Sequence, residues 1–272
     1  MKKYIAMGLA LLFVAAATVA GGSDLFRCIV LDVEEGQAVL LQRGSSAILV
    51  DTGHFGQAAT VRRAFEQYGV ERVEAVILTH LHADHATGIF AVMDRHPDAV
   101  VYESGHRIPF HPLMDGYRWV AEELDSGTWK RRIVGQDEKI VWREVAIHFL
   151  WPQRPRGDDL NASSLVVEVA YGGHTILIMG DVNRQVEAEL LGQNRLPENA
   201  DVLVVGHHGA ADATSSALLD TVSPIHAVVS INSDNLRGYP DPAVMEKLEE
   251  VGTQVHEVWL KGDFVYEAKT GS

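Results

Sequence analysis

The feature that most restricts this chain is a run of six residues, His80-Leu81-His82-Ala83-Asp84-His85, set directly after an apolar stretch at residues 73–78. It holds four metal-ligating side chains at the point where a buried strand would reach the edge of its sheet. Imidazole nitrogens and carboxylate oxygens are the ligands of hydrolytic Zn²⁺ or Mn²⁺ sites, which keep one position open for water. Residues two apart in a loop can face the same side, so His80 and His82 can grip one ion while Asp84 and His85 turn toward a second. Even with 13 histidines in 272 residues, chance places such a set in about one chain in a thousand. The run is therefore read as a site.

Two other apolar runs end in ligands. Residues 176–179 lead into Gly180-Asp181, where the glycine permits a turn and the carboxylate could bridge two cations. Residues 202–205 lead into Gly206-His207-His208-Gly209. Either alone would be read as a turn. Together with the first cluster, three strand ends meeting at one edge make a two-metal site the economical reading. Either His207 or His208 could be the ligand there, the other being free to contact substrate, and the spacing leaves the choice open. Asp51, after the run 47–50, either orients a ligating histidine from behind or simply forms a turn.

Along the rest of the chain, short β-rich runs alternate with helical spacing. Strands are expected at 25–33, 38–42, 47–50, 73–78, 100–103, 146–150, 165–171, 175–179, 202–205 and 227–230. Helices are expected at 58–68, 114–124, 183–191, 215–220 and 242–251, the last with Asp241 as its N-cap and Pro242 in its first position. No repeat or linker interrupts residues 23–272, which read as one α/β domain. Ahead of it, Met1-Lys2-Lys3-Tyr4 and an apolar run at 5–20 read as a signal peptide or N-terminal anchor over residues 1–22. The expectation is an exported protein, periplasmic or secreted, with no membrane contact beyond that segment.

Charge narrows the partners. With 23 Lys+Arg against 37 Asp+Glu the net charge is −14, which excludes a broad electrostatic surface for nucleic acid. A single cysteine, Cys28, excludes an intrachain disulfide and any cysteine-based metal cluster.

In order, Asp51, His80-x-His82-x-Asp84-His85, Asp181 and His207 resemble the metallo-β-lactamase fold family. More narrowly, the chain resembles the metallo-hydrolase domain of ComEC-type DNA-uptake competence proteins. The matching stretches are Leu31-Asp32-Val33-Glu34-Glu35-Gly36-Gln37-Ala38, Asn161-Ala162-Ser163-Ser164-Leu165-Val166, His207-His208-Gly209 and Asn235-Leu236-Arg237-Gly238-Tyr239-Pro240. The resemblance implies an αββα sandwich of two mixed β-sheets flanked by helices, two divalent ions (Zn²⁺ or Mn²⁺), and a phosphodiester-cleaving hydrolase. His80, His82 and Asp181 would hold one ion, and Asp84, His85, Asp181 and His207 the other. A water between them, its pKa lowered, would attack phosphorus. Asn161, Ser164 and Asn235 would donate hydrogen bonds to the substrate oxygens, and Asp84 could protonate the leaving group.

The chain also departs from that family. Glu34-Glu35-Gly36-Gln37 stands where the family has Gly-Gln-Gly-Asp, and Arg237-Gly238-Tyr239-Pro240 where it has Tyr-Gly-His-Pro. Asn161 and its neighbours replace the third histidine of true β-lactamases, as in the competence proteins. Expected substrates are small-molecule or nucleic-acid phosphodiesters. The alternatives are a carbonyl ester, lactone or lactam, or a metal-holding binding module without turnover.

Overall fold

The computed structural model describes residues 25–109, 115–232 and 234–270. The segment read as a signal or anchor lies outside them. The first half of the chain supplies strands β1 (Leu25–Val30), β2 (Val39–Arg43), β3 (Ser46–Val50), β4 (Arg72–Ile77), β5 (Val100–Glu103) and β6 (Arg131–Ile133). The second half supplies β7 (Lys139–Trp142), β8 (Val145–Trp151), β9 (Val166–Tyr171), β10 (His174–Ile178), β11 (Val202–Val204), β12 (His226–Val229), β13 (Gln254–Glu257) and β14 (Phe264–Lys269). They form two seven-stranded sheets, ordered β14-β1-β2-β3-β4-β5-β6 and β13-β12-β11-β10-β9-β8-β7. Each sheet is mixed in the same way. Strands β3 to β6 run parallel in one and β10 to β13 in the other, and the remaining pairs are antiparallel.

Helices α1 (Ala58–Tyr68), α2 (Ala83–Ala86), α3 (Ile89–Arg95) and α4 (Asp115–Ser126) belong to the first half; α5 (Arg184–Gly192), α6 (Ser216–Val222), α7 (Pro242–Glu250) and α8 (Val258–Lys261) to the second. Three apolar layers explain their placement. Ile48 and Val50 of β3 face Ile147, Val167 and Ile178 across the gap between the sheets. The alternate residues Ala47 and Leu49 face outward onto Val61 and Phe65 of α1 and Val92 of α3. On the far side, Leu177 and Leu203 pack against Leu190, Leu218 and Leu248 from α5, α6 and α7. Because neighbours along a strand point to opposite faces, a strand buried on both faces must be apolar at every position. That is why β11 and the C-terminal parts of β3 (from Ala47), β4 (from Ala75) and β10 (from Ile176) read as apolar runs. The αββα sandwich is the expected one.

The caps follow local chemistry. The Asp241 carboxylate accepts the Ala243 N–H at 2.8 Å with Pro242 in the first turn, as the spacing predicts. Asn183 and Ser215 cap α5 and α6 in the same way. The elements not predicted, β6, β7, β13, β14 and the short helices α2, α3 and α8, are edge strands or helices of one or two turns with mixed polarity. Residues of β6 are all exposed, so its sequence carries no burial pattern. No helix among the described residues is long and apolar enough to cross a membrane.

Candidate metal centre

The parallel strands of both sheets deliver their C-terminal ends to one edge, and the polar residues follow there. Beyond β4, Leu78 and Thr79 lead to His80 and His82, and Asp84 and His85 lie in the single turn of α2. Beyond β3 comes Asp51, with a left-handed φ of 55°. Beyond β10, Gly180 turns with φ 55° and places Asp181; a Cβ there would lie 3.0 Å from Ser164 and 3.1 Å from Thr79. Beyond β11, His207 (φ 48°) and His208 (φ 55°) are both left-handed. Non-glycine residues in that region cost free energy that surrounding contacts must offset, and such residues concentrate at functional sites. The segment before β2 closes the edge. The Gln37 N–H donates to Asp84 O at 3.3 Å, and a side chain at Gly36 would collide with that same oxygen at 1.9 Å.

Two overlapping groups of buried donors result: His80, His85 and Asp181, and Asp84, His85 and His208, with the ligand atoms in each within 4.8 Å of one another. Asp181 lies between them. Its carboxylate is 3.2 Å from His85 Nε2 and 3.6 Å from both His80 Nε2 and His208 Nε2. His82 Nδ1 is 2.9 Å from His80 Nε2, and His85 Nε2 is 3.1 Å from His208 Nε2. The buried oxygens Asp84 Oδ2 and Asp181 Oδ1 accept no hydrogen bond of good geometry. Bare ring nitrogens crowded together beside unpartnered carboxylate oxygens are costly in a dry interior. A divalent cation uses all these lone pairs, and the nitrogen and oxygen donor set suits one.

Supporting hydrogen bonds aim the donors. Asp51 Oδ2 is 2.7 Å from His85 Nδ1 and accepts from the Thr79 hydroxyl and the Gln37 amide, while Asp51 Oδ1 accepts the Thr79 N–H. His208 Nδ1 donates to Ser230 O at 2.7 Å. Each contact occupies Nδ1 and leaves Nε2 to face the cluster. Burial alone would lower the proton affinity of His85 and His208, but the charges of Asp181, Asp51 and Asp84 overcome it and raise both. His80 moves the other way, lowered by burial and by neighbouring His85. For Asp84 and Asp181, burial favours the neutral acid, yet the adjacent histidines hold both carboxyls well below the usual carboxylate range.

Of the residues expected in the site, the structure brings together His80, His82, Asp84, His85 and Asp181. It corrects the other placements. His207 belongs to neither donor group; its Nδ1 pairs with Asp212 and its Nε2 lies 3.1 Å from the Asn161 amide, so His208 takes the inward position. Two consecutive left-handed residues turn the second histidine in and the first out. Ser164 is fully buried behind Asp181, whose N–H it accepts at 3.3 Å, and does not face a substrate. Asn235 donates to Asn232 O and Tyr239 O and accepts the Tyr239 N–H. Both its amide hydrogens are engaged, so it clamps its own loop. Asn161 lines the opening beside His82, with its amide nitrogen 3.1 Å from His207 Nε2. Gln37, Thr79 and Ser230 were not foreseen: nothing in their spacing marks residues that act through another side chain.

Comparison with known proteins agrees with this architecture. The description "Metallo-beta-lactamase superfamily" matches residues 31–231. Competence protein ComA of Neisseria gonorrhoeae is 29% identical over 86% of this chain and 31% of its own length. ComE operon protein 3 of Bacillus subtilis is 26% identical over 74% of this chain and 25% of its own. The chain thus spans about a third or less of these relatives. The crystal structure of the metallo-β-lactamase fold protein YhfI from Bacillus subtilis superposes with a TM-score of 0.59 at 19% identity, over 89% of this chain and 100% of that one. A diphosphatase of the PhnP family superposes at 0.53 with 14% identity, over 90% and 99%. Members of the matched superfamily are generally metal-dependent hydrolases that bind divalent ions, typically zinc. The chain belongs to the metallo-β-lactamase superfamily.

Proposed function

We propose that this chain is an exported hydrolase that cleaves phosphodiester bonds with two divalent ions, Zn²⁺ or Mn²⁺, residues 1–22 being a signal or anchor and residues 23–272 its single domain. The observation that carries the reading is the pair of buried donor groups that share His85, each with its own carboxylate, Asp181 or Asp84. His80, His82 and Asp181 would hold one cation, and Asp84, His85, His208 and Asp181 the neighbouring one, His85 having only its Nε2 to offer because Asp51 takes Nδ1. Bound cations there supply charge that lowers the pKa of a water and offsets negative charge developing on the substrate.

The chain's own groups do the rest. Asp51 orients His85, and Ser230 O orients His208, so the nitrogens aimed inward need no rearrangement. Asp84, held ionised by His208 and His85 despite its burial, is better suited to ligation than to protonating a leaving group. The Asn161 amide, bound to His207, forms one wall of the approach. The names of the relatives, referring to competence and, in Haemophilus influenzae, to recombination, favour nucleic acid among phosphodiesters. The −14 net charge favours small substrates, and equally supports the second reading, a neutral carbonyl ester or lactone.

Hydrolysis of bis(p-nitrophenyl) phosphate by protein loaded with Zn²⁺ or Mn²⁺, with Asp181→Ala as control, tests the proposal. Metal-dependent turnover that disappears in the control is expected. A metal-loaded protein that turns over p-nitrophenyl acetate and leaves the phosphodiester intact would transfer the reading to the carbonyl ester.

A further inference from the structure

The departure from the family pattern at Arg237-Gly238-Tyr239-Pro240 falls at the mouth of the site. Two openings flank the donor groups. One, of about 350 Å³, is lined by Glu34, Glu35, His54, Gln57, Asp84 and Arg237 among others. The second, beside His82, is lined in part by Asp158, Asp159 and Asn161. Arg237 is the only lysine or arginine among the described residues that line them.

Its setting is both firm and exchangeable. Asn235 clamps the loop by donating to Asn232 O and Tyr239 O, both at 2.7 Å, so the backbone under Arg237 is held. The guanidinium itself is about half exposed and, among the described residues, pairs with Glu35 at 3.2 Å, also about half exposed. Ion pairs between such solvated groups are weak. A phosphate accepts two parallel hydrogen bonds from a guanidinium and competes well for it. Arg237 also borders the donor cluster, lining the same opening as Asp84.

We propose that Arg237 selects the substrate, its guanidinium leaving Glu35 to grip the phosphate of a diester bearing a single negative charge, while Glu34, Glu35, Asp158 and Asp159 repel polyanions. This rests on the phosphodiester reading and narrows it to small monoanionic diesters. One cation among four carboxylates can balance one phosphate. A nucleic-acid strand would carry its next phosphates into the acidic lip.

Calorimetric titration of the metal-loaded protein with diphenyl phosphate tests the assignment without requiring turnover. Arg237→Gln should weaken binding about 10- to 100-fold, with Arg237→Lys in between. Glu35→Gln, which frees the guanidinium, should tighten it. A ten-nucleotide thymidine strand should bind more weakly than diphenyl phosphate and gain affinity as salt rises from about 50 to about 200 mM, the reverse of ordinary nucleic-acid binding. An unchanged dissociation constant in Arg237→Gln, no binding to the wild type, or oligonucleotide binding that falls steeply with salt would overturn it. Arg237-dependent binding without hydrolysis of bis(p-nitrophenyl) phosphate would instead remove only the activity.

Discussion

The two ends of the sandwich carry similar residues and do different work. At the C-terminal ends of the parallel strands, histidines and aspartates crowd together, with ring nitrogens 2.9 and 3.1 Å apart and two buried carboxylate oxygens unpartnered. At the N-terminal ends, His174, Asp201 and Tyr266 form a network across the sheets in which the partners alternate. The Tyr266 hydroxyl donates to Asp201 at 2.8 Å and lies 2.8 Å from His174 Nδ1, while Asp201 Oδ2 accepts the Thr175 N–H at 2.7 Å. No atom of those three side chains is among the buried groups that go unpartnered. Histidine and aspartate alone therefore do not make a site. What separates the two ends is surplus acceptors: a cluster with more lone pairs than protons calls for a cation, and a balanced one braces the fold.

The largest effect should come from removing the carboxylate between the donor groups. Asp181→Ala is expected to lower metal content and to reduce metal-dependent turnover about 10³-fold. Elemental analysis beside turnover separates lost metal from lost chemistry, and near-normal metal content would break the contrast between the ends. The two histidines sharpen it further: His208→Ala should lose metal, and His207→Ala should retain most of it.

One step back from the donors, Asp51→Asn replaces an acceptor of four hydrogen-bonding contacts with a group that also donates, against Gln37, Thr79 and His85. Metal affinity measured by competition with a chelator should fall about 10- to 100-fold. Loss below twofold would show that the histidine is aimed by packing alone.

At the opposite end, Tyr266→Phe should cost about 1 kcal/mol in urea unfolding and leave metal affinity intact. Burial raises the Asp201 carboxyl, but hydrogen bonds from Thr175, Tyr266 and His174 outweigh it, so its folded pKa lies below the ordinary value. A depressed carboxylate pKa contributes stability above the unfolded value, about 3.9, which is lost as pH falls through the folded one. The stability gap between wild type and Asp201→Asn should therefore be full at neutral pH and shrink below about pH 4. A gap that does not change with pH would show that Asp201 acts through packing.

The smallest effect concerns Cys28, fully buried between the sheets with its thiol pushed up to about 12 by desolvation. Native protein should resist alkylation at pH 8, with mass spectrometry showing modification only once urea opens the sandwich. Fast labelling of the native protein would reveal an opening between the sheets.

Much of this arrangement was legible beforehand. β11 and the C-terminal parts of β3, β4 and β10 were apolar at successive positions because both their faces are covered, and Asp241-Pro242 announced a helix start. The edge strands were not legible, since β6 exposes every residue and β7 only half-buries alternate ones over four positions. In the site, His80, His82, Asp84 and His85 were readable because one short loop carries all four. Ser164 and Asn235 were misjudged because a polar side chain near a site looks the same in sequence whether it faces substrate or its own backbone.

By itself, the sequence determined that strands end in imidazoles and carboxylates at a common edge, and hence what class of ion such an edge would attract. Only the tertiary structure decided which groups meet there. His85 and His208 touch across 123 residues of chain, and His208 rather than His207 turns inward because two left-handed residues in succession reverse the loop. Ligand type is a property of a side chain. Ligand position depends on backbone angles and on neighbours far away in sequence, and no local pattern encodes either.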